Sequence, residues 1–549
     1  MTLQTAQTRP ALTRQWGAEP ARAGLWRFSV FAPGARQVSV ELGDRRTALV
    51  LRGDGFHRVT APAEAGERYR FVIDGLTVPD PAARMQEGGI DGWSRLVDPD
   101  AYPWQAHWAG RKWDEAVVMQ VHVGTYTAEG TFAAAAARMA GLAETGFTAI
   151  QLMPVIQTAG QRGWGYEGGL PFAPHTAFGT PDDLRALVDA AHAAGIMVLL
   201  DLPWTSFRQG GGGIGRIVPA LFRQGGDLDL TKMPARSLLI ENALHWLAEY
   251  RMDGLRIDRP DLLNDPLSPH LLTELAARLH AAGFTRPIHL IAGQDPGRPE
   301  RFEAVWNADW HRAVEAVLTT EQAGLEPLCA DLVAPRPLSS RIRYNQSHET
   351  IAARPFCERL IRLADPRAAQ VAHAMLLSAP GVPMLMMGDE AGERAPFHVF
   401  ADLRGDDATR LRAKRRALFA DMPDMADLMP DPMDRTTFAL SRPYRRDGPE
   451  AAGWRALTAG LLRFRAEETV PLLRSGLIAP PEASATGPLS LLASWPCRAG
   501  TLHMAANLGG IPDEEPPVFL RPPKLALCHV ARDRYAFALW LERPRRGAS

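Results

Sequence analysis

The stretch RMDGLRIDRPDLL (251–263) ends a short apolar run on a carboxylate, Asp258, two residues after Arg256. About thirty residues later PIHLIAGQD (287–295) repeats the apolar run, but glycine and glutamine precede its carboxylate, Asp295. Similar runs end near His122, Asp201, Asn307, Asp309, His348, Glu349, Asp389 and Glu390. One acid at a strand end is ordinarily a helix cap or an ion-pair partner. A ring with this many acids, together with Arg256, His122 and His348, exceeds what caps require. Carboxylates without metal-ligand cysteines suit glycosidic-bond cleavage, which needs two carboxyls on either side of the scissile bond.

The elements that must position these residues alternate. VVMQVHVG (117–124), TAIQLMPV (148–155), IMVLLDLPW (196–204), LRID (255–258), IHLIAGQD (288–295), AVWNADW (304–310), RIRYNQSHE (341–349) and PMLMMGDE (383–390) read as strands separated by helical segments. Thr180, Pro181 and Asp183 mark one helix start and Gly195 its end, while Ser268 and Pro269 mark another start. Eight βα units predict an α/β fold closing into a (β/α)8 TIM barrel, whose chemistry sits at the C-terminal strand ends. Period-2 runs before residue 108 predict an N-terminal β-sandwich, and runs beyond residue 478 a small C-terminal β-domain. The expected domains are 1–108, 109–478 and 479–549.

Composition narrows the function classes. A formal net charge of −1 across 549 residues argues against a nucleic-acid or membrane partner. Cys329, Cys357, Cys497 and Cys528 form no CxxC pair, so buried thiols in a reducing compartment are expected rather than zinc or disulfides. The N-terminal stretch lacks a secretory apolar core, and the expected location is cytoplasmic. GGGGIG (210–215) satisfies a dinucleotide-loop pattern in letters but lies between no strand and helix of a βαβ unit. RLRAKRR (410–416) has the spacing of a solvated helix face, and HETIA lacks the second histidine of a zinc helix. Neither a metal nor a cofactor is expected, and oligomeric state is left open.

DGLRID resembles the nucleophile motif of the α-amylase superfamily of glycoside hydrolases. Within it, VHVGTYTAEGTF, the long run from Gly160 to Asp201, and PMLMMGDEAGERA followed by PFHVFADL are similar to the malto-oligosyltrehalose trehalohydrolases. The resemblance implies an α-1,4-glucan or malto-oligosyltrehalose ligand and retaining hydrolysis. It implies Asp258 as nucleophile, Arg256 as the group holding it ionised, Asp201 as a partner of Arg256, and Tyr166, Trp164 and His348 as sugar contacts. His122 joins the substrate-binding candidates from its place at the first strand tip.

Three departures accompany the likeness. Gly293 stands where the family carries its acid/base glutamate, Thr205-Ser206 replace an Asn-His pair, and Glu349 replaces the transition-state aspartate. Asp295, two residues beyond Gly293 and on the same strand face, is a candidate displaced acid about 6–7 Å further along. The alternative is an Asx turn before Pro296; Glu300 and Glu303 are weaker candidates. Two readings follow: a trehalohydrolase-like enzyme with weakened or altered chemistry, or an α-glucan binder without turnover.

Overall fold

The computed structural model describes residues 14–22, 24–207, 213–224, 226–294, 302–320, 323–334, 337–443, 448–509, 527–531 and 535–543. At its centre eight parallel strands form a closed barrel. In chain order they are β1 (Val118–Val121), β2 (Ala149–Leu152), β3 (Met197–Leu202), β4 (Gly254–Ile257), β5 (His289–Ala292), β6 (Ala304–Asn307), β7 (Arg341–Arg343) and β8 (Val382–Met386). Every residue of β1 to β5 is buried, as strands covered on both faces require. The apolar runs therefore show no alternation, and length and flanking helices mark them as strands.

The connecting helices include α1 (Pro181–Ala193), α2 (Met233–Glu249), α3 (Leu271–Ala281), α4 (Ala308–Thr319) and α5 (His348–Ala352). Helix α1 starts with a reciprocal capping box: Asp183 N–H donates to Thr180 Oγ1, and Thr180 N–H to the Asp183 carboxylate. It ends beside Gly195, whose φ of 77° gives the left-handed turn a side chain would resist. Helix α3 begins later than the Ser268-Pro269 signal suggests. Its N-cap is His270, whose Nδ1 accepts the Leu272 N–H.

Two antiparallel sheets precede the barrel, one built on Leu25–Phe31 and Phe56–Pro62, the other on Val38–Leu42 and Arg68–Ile73. They pack through Phe28 and Tyr69, whose ring centroids are 5.4 Å apart. Glu249 at the end of α2 anchors this unit to the barrel by accepting from Arg14 (2.5 Å) and Arg84 (2.8 Å), all three buried. A five-stranded antiparallel sheet (Glu482–Gly487 to Tyr535–Glu542) follows the barrel. Among the described residues no helix is long and apolar enough to cross a membrane. The basic run 410–416 is not wholly solvated: Arg415 is buried and donates to the carbonyls of Arg354 and Pro355.

Candidate active site

Register places the charged groups. Asp201 on β3 is paired with Arg256 on β4, and Asp258 and Gly293 follow at the tips of β4 and β5, where Gly293 N–H donates to Ile257 O. Arg256 is fully buried and at the centre of three carboxylates. Its Nη1 lies 2.9 Å from Asp201 Oδ2 and 3.2 Å from Asp258 Oδ1, and its Nη2 2.5 Å from Glu349 Oε1. Its Cζ lies 3.8 Å from the Trp306 ring centroid, so one face of the guanidinium rests on an indole. A second guanidinium, that of half-buried Arg259, is paired with Asp261 and also acts on Asp258 and Glu349.

Asp201 is the most constrained acid. Its Oδ1 accepts from Gln151 Nε2 (2.6 Å), and its Oδ2 from the Tyr166 hydroxyl (2.6 Å) and Arg256. Burial pushes its pKa up to about 6 against the pull of Arg256. Burial likewise raises Glu349, opposed first by Arg256, and drives His348 well below the usual histidine range. His348 is therefore neutral, and Gln120 fixes its tautomer. The Gln120 Oε1 accepts the His348 backbone N–H, so Gln120 Nε2 must face His348 Nδ1 (2.9 Å), leaving the ring proton on Nε2.

The hairpin Ile156–Gln157 with Leu170–Pro174 carries a loop over these groups. Tyr166 stacks on His348 (5.2 Å between centroids, 9° between planes), and Trp164 meets His348 edge-on at 5.3 Å. Trp164 Nε1 donates to His398 O, and its ring stacks on Phe397 at 5.1 Å. Glu167 holds the loop by accepting the Trp164 and Gly165 N–H groups.

The wider ring of acids separates into groups. Asn307 caps α4, and Asp309 is exposed in its first turn, paired with Arg312. Asp389 is bound to Arg359 and Gln346, both at 2.7 Å. Glu390 opens into a different cleft of about 1000 Å³ with Thr125, Arg138 and Arg442. His122 is 1% exposed, between the Thr125 hydroxyl and the Gly163 carbonyl at 2.9 Å each. With both nitrogens occupied, it braces the loop that carries Trp164. Burial lowers its pKa to about 4. Asp295 and Glu300 lie outside the described residues, as do residues 210–212 of the glycine-rich run. Glu303 is exposed and turned toward His289 (3.5 Å). Three participants escaped the sequence analysis: Gln120, Gln151 and Trp306. Their signal was present, a glutamine inside VVMQV and AIQLM and a tryptophan before the β6 tip, each of them buried.

Comparison with known proteins bears on this geometry. The chain matches no family profile. It is 33% identical over 502 residues to the malto-oligosyltrehalose trehalohydrolase of Deinococcus radiodurans, spanning 83% of each chain. The chain belongs to the malto-oligosyltrehalose trehalohydrolase family. The Arthrobacter ramosus trehalohydrolase is 31% identical over 476 residues, 76% of this chain and 82% of its own. A Salmonella typhimurium structure of alpha-amylase type superposes with a TM-score of 0.86 at 33% identity, over 97% of this chain and 100% of that one. A Bacillus subtilis pullulanase complexed with maltose shares the fold alone (TM-score 0.69, 16% identity, 98% of this chain and 86% of that one).

Position 293, at the tip of β5, faces the Arg256 guanidinium. A Cβ built on Gly293 would sit 2.7 Å from Arg256 Nη2 and 3.0 Å from its Cζ. The guanidinium occupies the room that a side chain would need. Among the described residues, the carboxylates acting on Arg256 are Asp201, Asp258 and Glu349.

Proposed function

We propose that the barrel mouth binds the trehalose-capped end of an α-1,4-glucan and cleaves it by the retaining route at a much reduced rate. Asp258 is the nucleophile, Arg256 favours its ionised form, and Glu349 stabilises positive charge developing on the sugar. Tyr166 and Trp164 supply apolar ring surface, and His348 Nε2–H a hydroxyl donor. Asp201 acts through others, holding Arg256 and Tyr166 in place. One observation carries the weakened rate: Gly293 bears no proton donor, and Arg256 fills the space in front of it. Protonation of the leaving oxygen typically contributes on the order of 10²–10⁴ in rate. Three buried free thiols, Cys329, Cys357 and Cys497, fit a cytoplasmic location.

The test is an incubation of the purified protein with malto-oligosyltrehalose, scored for trehalose and paired with calorimetric titration of maltodextrin. Slow trehalose release with micromolar-to-millimolar binding is expected; release at the rate of an ordinary trehalohydrolase would defeat the account of position 293. The Gly293–Arg256 contact also favours a second reading, an α-glucan binder without turnover. Binding with no trehalose on prolonged incubation would select it.

The acid limb gives a further prediction. Asp201 has a folded-state pKa above its unfolded value near 4. Its contribution to stability is therefore fully present below about pH 4 and is lost as the pH rises through about 6. Binding runs the other way, because protonation below about pH 6 loosens Asp201 from Arg256. Maltodextrin affinity should fall as the pH drops through that value. Asp201→Asn should flatten this limb in a calorimetric pH series, leaving the part that belongs to Glu349. A limb of unchanged midpoint in Asp201→Asn would refute the assignment.

A further inference from the structure

We infer that Gly293, Arg256 and Glu349 form one interlocked unit. Glu349 draws the Arg256 guanidinium across the tip of β5, and glycine at 293 is what leaves room for it. Gly293 is not among the glycines with positive φ, so its identity does not answer a backbone demand. It answers a spatial one. A Cβ there would meet Nη2 at 2.7 Å, Cζ at 3.0 Å and Nε at 3.2 Å, the first of these closer than side-chain carbons come to a neighbour.

A long side chain ordinarily swings away from such a clash, but this one is held on several sides. Nη1 is bound by Asp201 and Asp258, the guanidinium face lies on Trp306, and Nη2 is fixed by Glu349 at 2.5 Å. Among the described residues, only the last contact pulls on the nitrogen nearest Gly293. Aspartate at 349 would withdraw its carboxylate by ~1.5 Å, one methylene, and break that hold. Two occupants therefore compete for the tip of β5: a side chain on residue 293, or the guanidinium that Glu349 holds there. A carboxyl introduced at 293 cannot approach Asp258 while Glu349 keeps Arg256 in its place. The departures at 293 and 349 are thus one change of design, and reversing either alone leaves the site blocked or vacant.

The stability arm of the test needs no assumption about function. Gly293→Ala, Glu349→Asp and the double variant are compared by thermal denaturation. Gly293→Ala should lower Tm by roughly 3 °C or more in the parent, and by less than half as much in the Glu349→Asp background. Equal losses in both backgrounds would overturn the interlock.

The activity arm rests on the glucan reading above. Gly293→Glu alone should release trehalose from malto-oligosyltrehalose no faster than the parent. Gly293→Glu with Glu349→Asp should release it at least tenfold faster than either single variant. A double variant no faster than Gly293→Glu would also overturn the interlock. Calorimetric titration of the parent with maltodextrin separates the two ideas: absent binding sinks the glucan reading and leaves the stability coupling to stand or fall alone.

Discussion

Exchange of Arg256 for methionine is expected to lower the unfolding free energy at pH 7 by roughly 3–5 kcal/mol and to abolish maltodextrin binding. Methionine approximates the aliphatic stem but carries no charge. Asp201, fully buried, would lose its cation, and Glu349 and Asp258 would lose the guanidinium they share. The Gln151 amide and the Tyr166 hydroxyl remain as neutral donors, too few for an ionised buried acid. With the guanidinium gone, the folded-state pKa of Asp201 rises further above its unfolded value. The variant should therefore be least impaired below about pH 4 and lose stability as the pH rises. Urea denaturation at pH 4 and pH 7 measures this. A loss under about 1 kcal/mol at pH 7 would mean that the three acids are not held by Arg256.

The second large effect concerns the leaving group. An aryl α-glucoside whose phenolate departs without a proton bypasses the function absent at Gly293, while still requiring attack by Asp258. Such a substrate should turn over about 10²–10⁴ times faster than malto-oligosyltrehalose, the contribution ordinarily made by a proton donor. Asp258→Asn should remove both activities, and an activated fluorosugar should label Asp258 in the parent alone. Comparable rates for the two substrates would show that a proton donor is at work, and failure of the label would remove Asp258 from the nucleophile's role.

Some of these groups were legible along the chain, and others take their partners from residues far away in it. Asp258, Arg256 and Asp201 were legible because they end short apolar runs, and a strand ending at a barrel mouth carries its last side chains into it. Tyr166 and Trp164 were legible through the family resemblance, since nothing in a loop's spacing says which way its rings turn. The place of His122 at the end of β1 says nothing of Thr125 and Gly163, which occupy its two nitrogens. Asn307 is taken up in capping the helix that begins with the next residue, and Asp309 in its first turn is exposed and paired with Arg312. Gln120 and Gln151 belong to no motif, yet a buried amide inside an apolar run must find partners. They found His348 and Asp201.

By itself the sequence determined the barrel, the helix caps such as Thr180 with Asp183, the strand that presents Asp258, and a tip of β5 without a side chain at 293. Each is a local property, written in residue type and in spacing of a few positions along the chain. Tertiary structure alone decided what stands against that glycine. The position of the Arg256 guanidinium is set by Asp201 from β3, Asp258 beyond β4, Trp306 from β6 and Glu349 after β7, residues scattered over about 150 positions. A long, flexible side chain takes its orientation from whichever partners surround it, and those partners become neighbours only when the eight strands close.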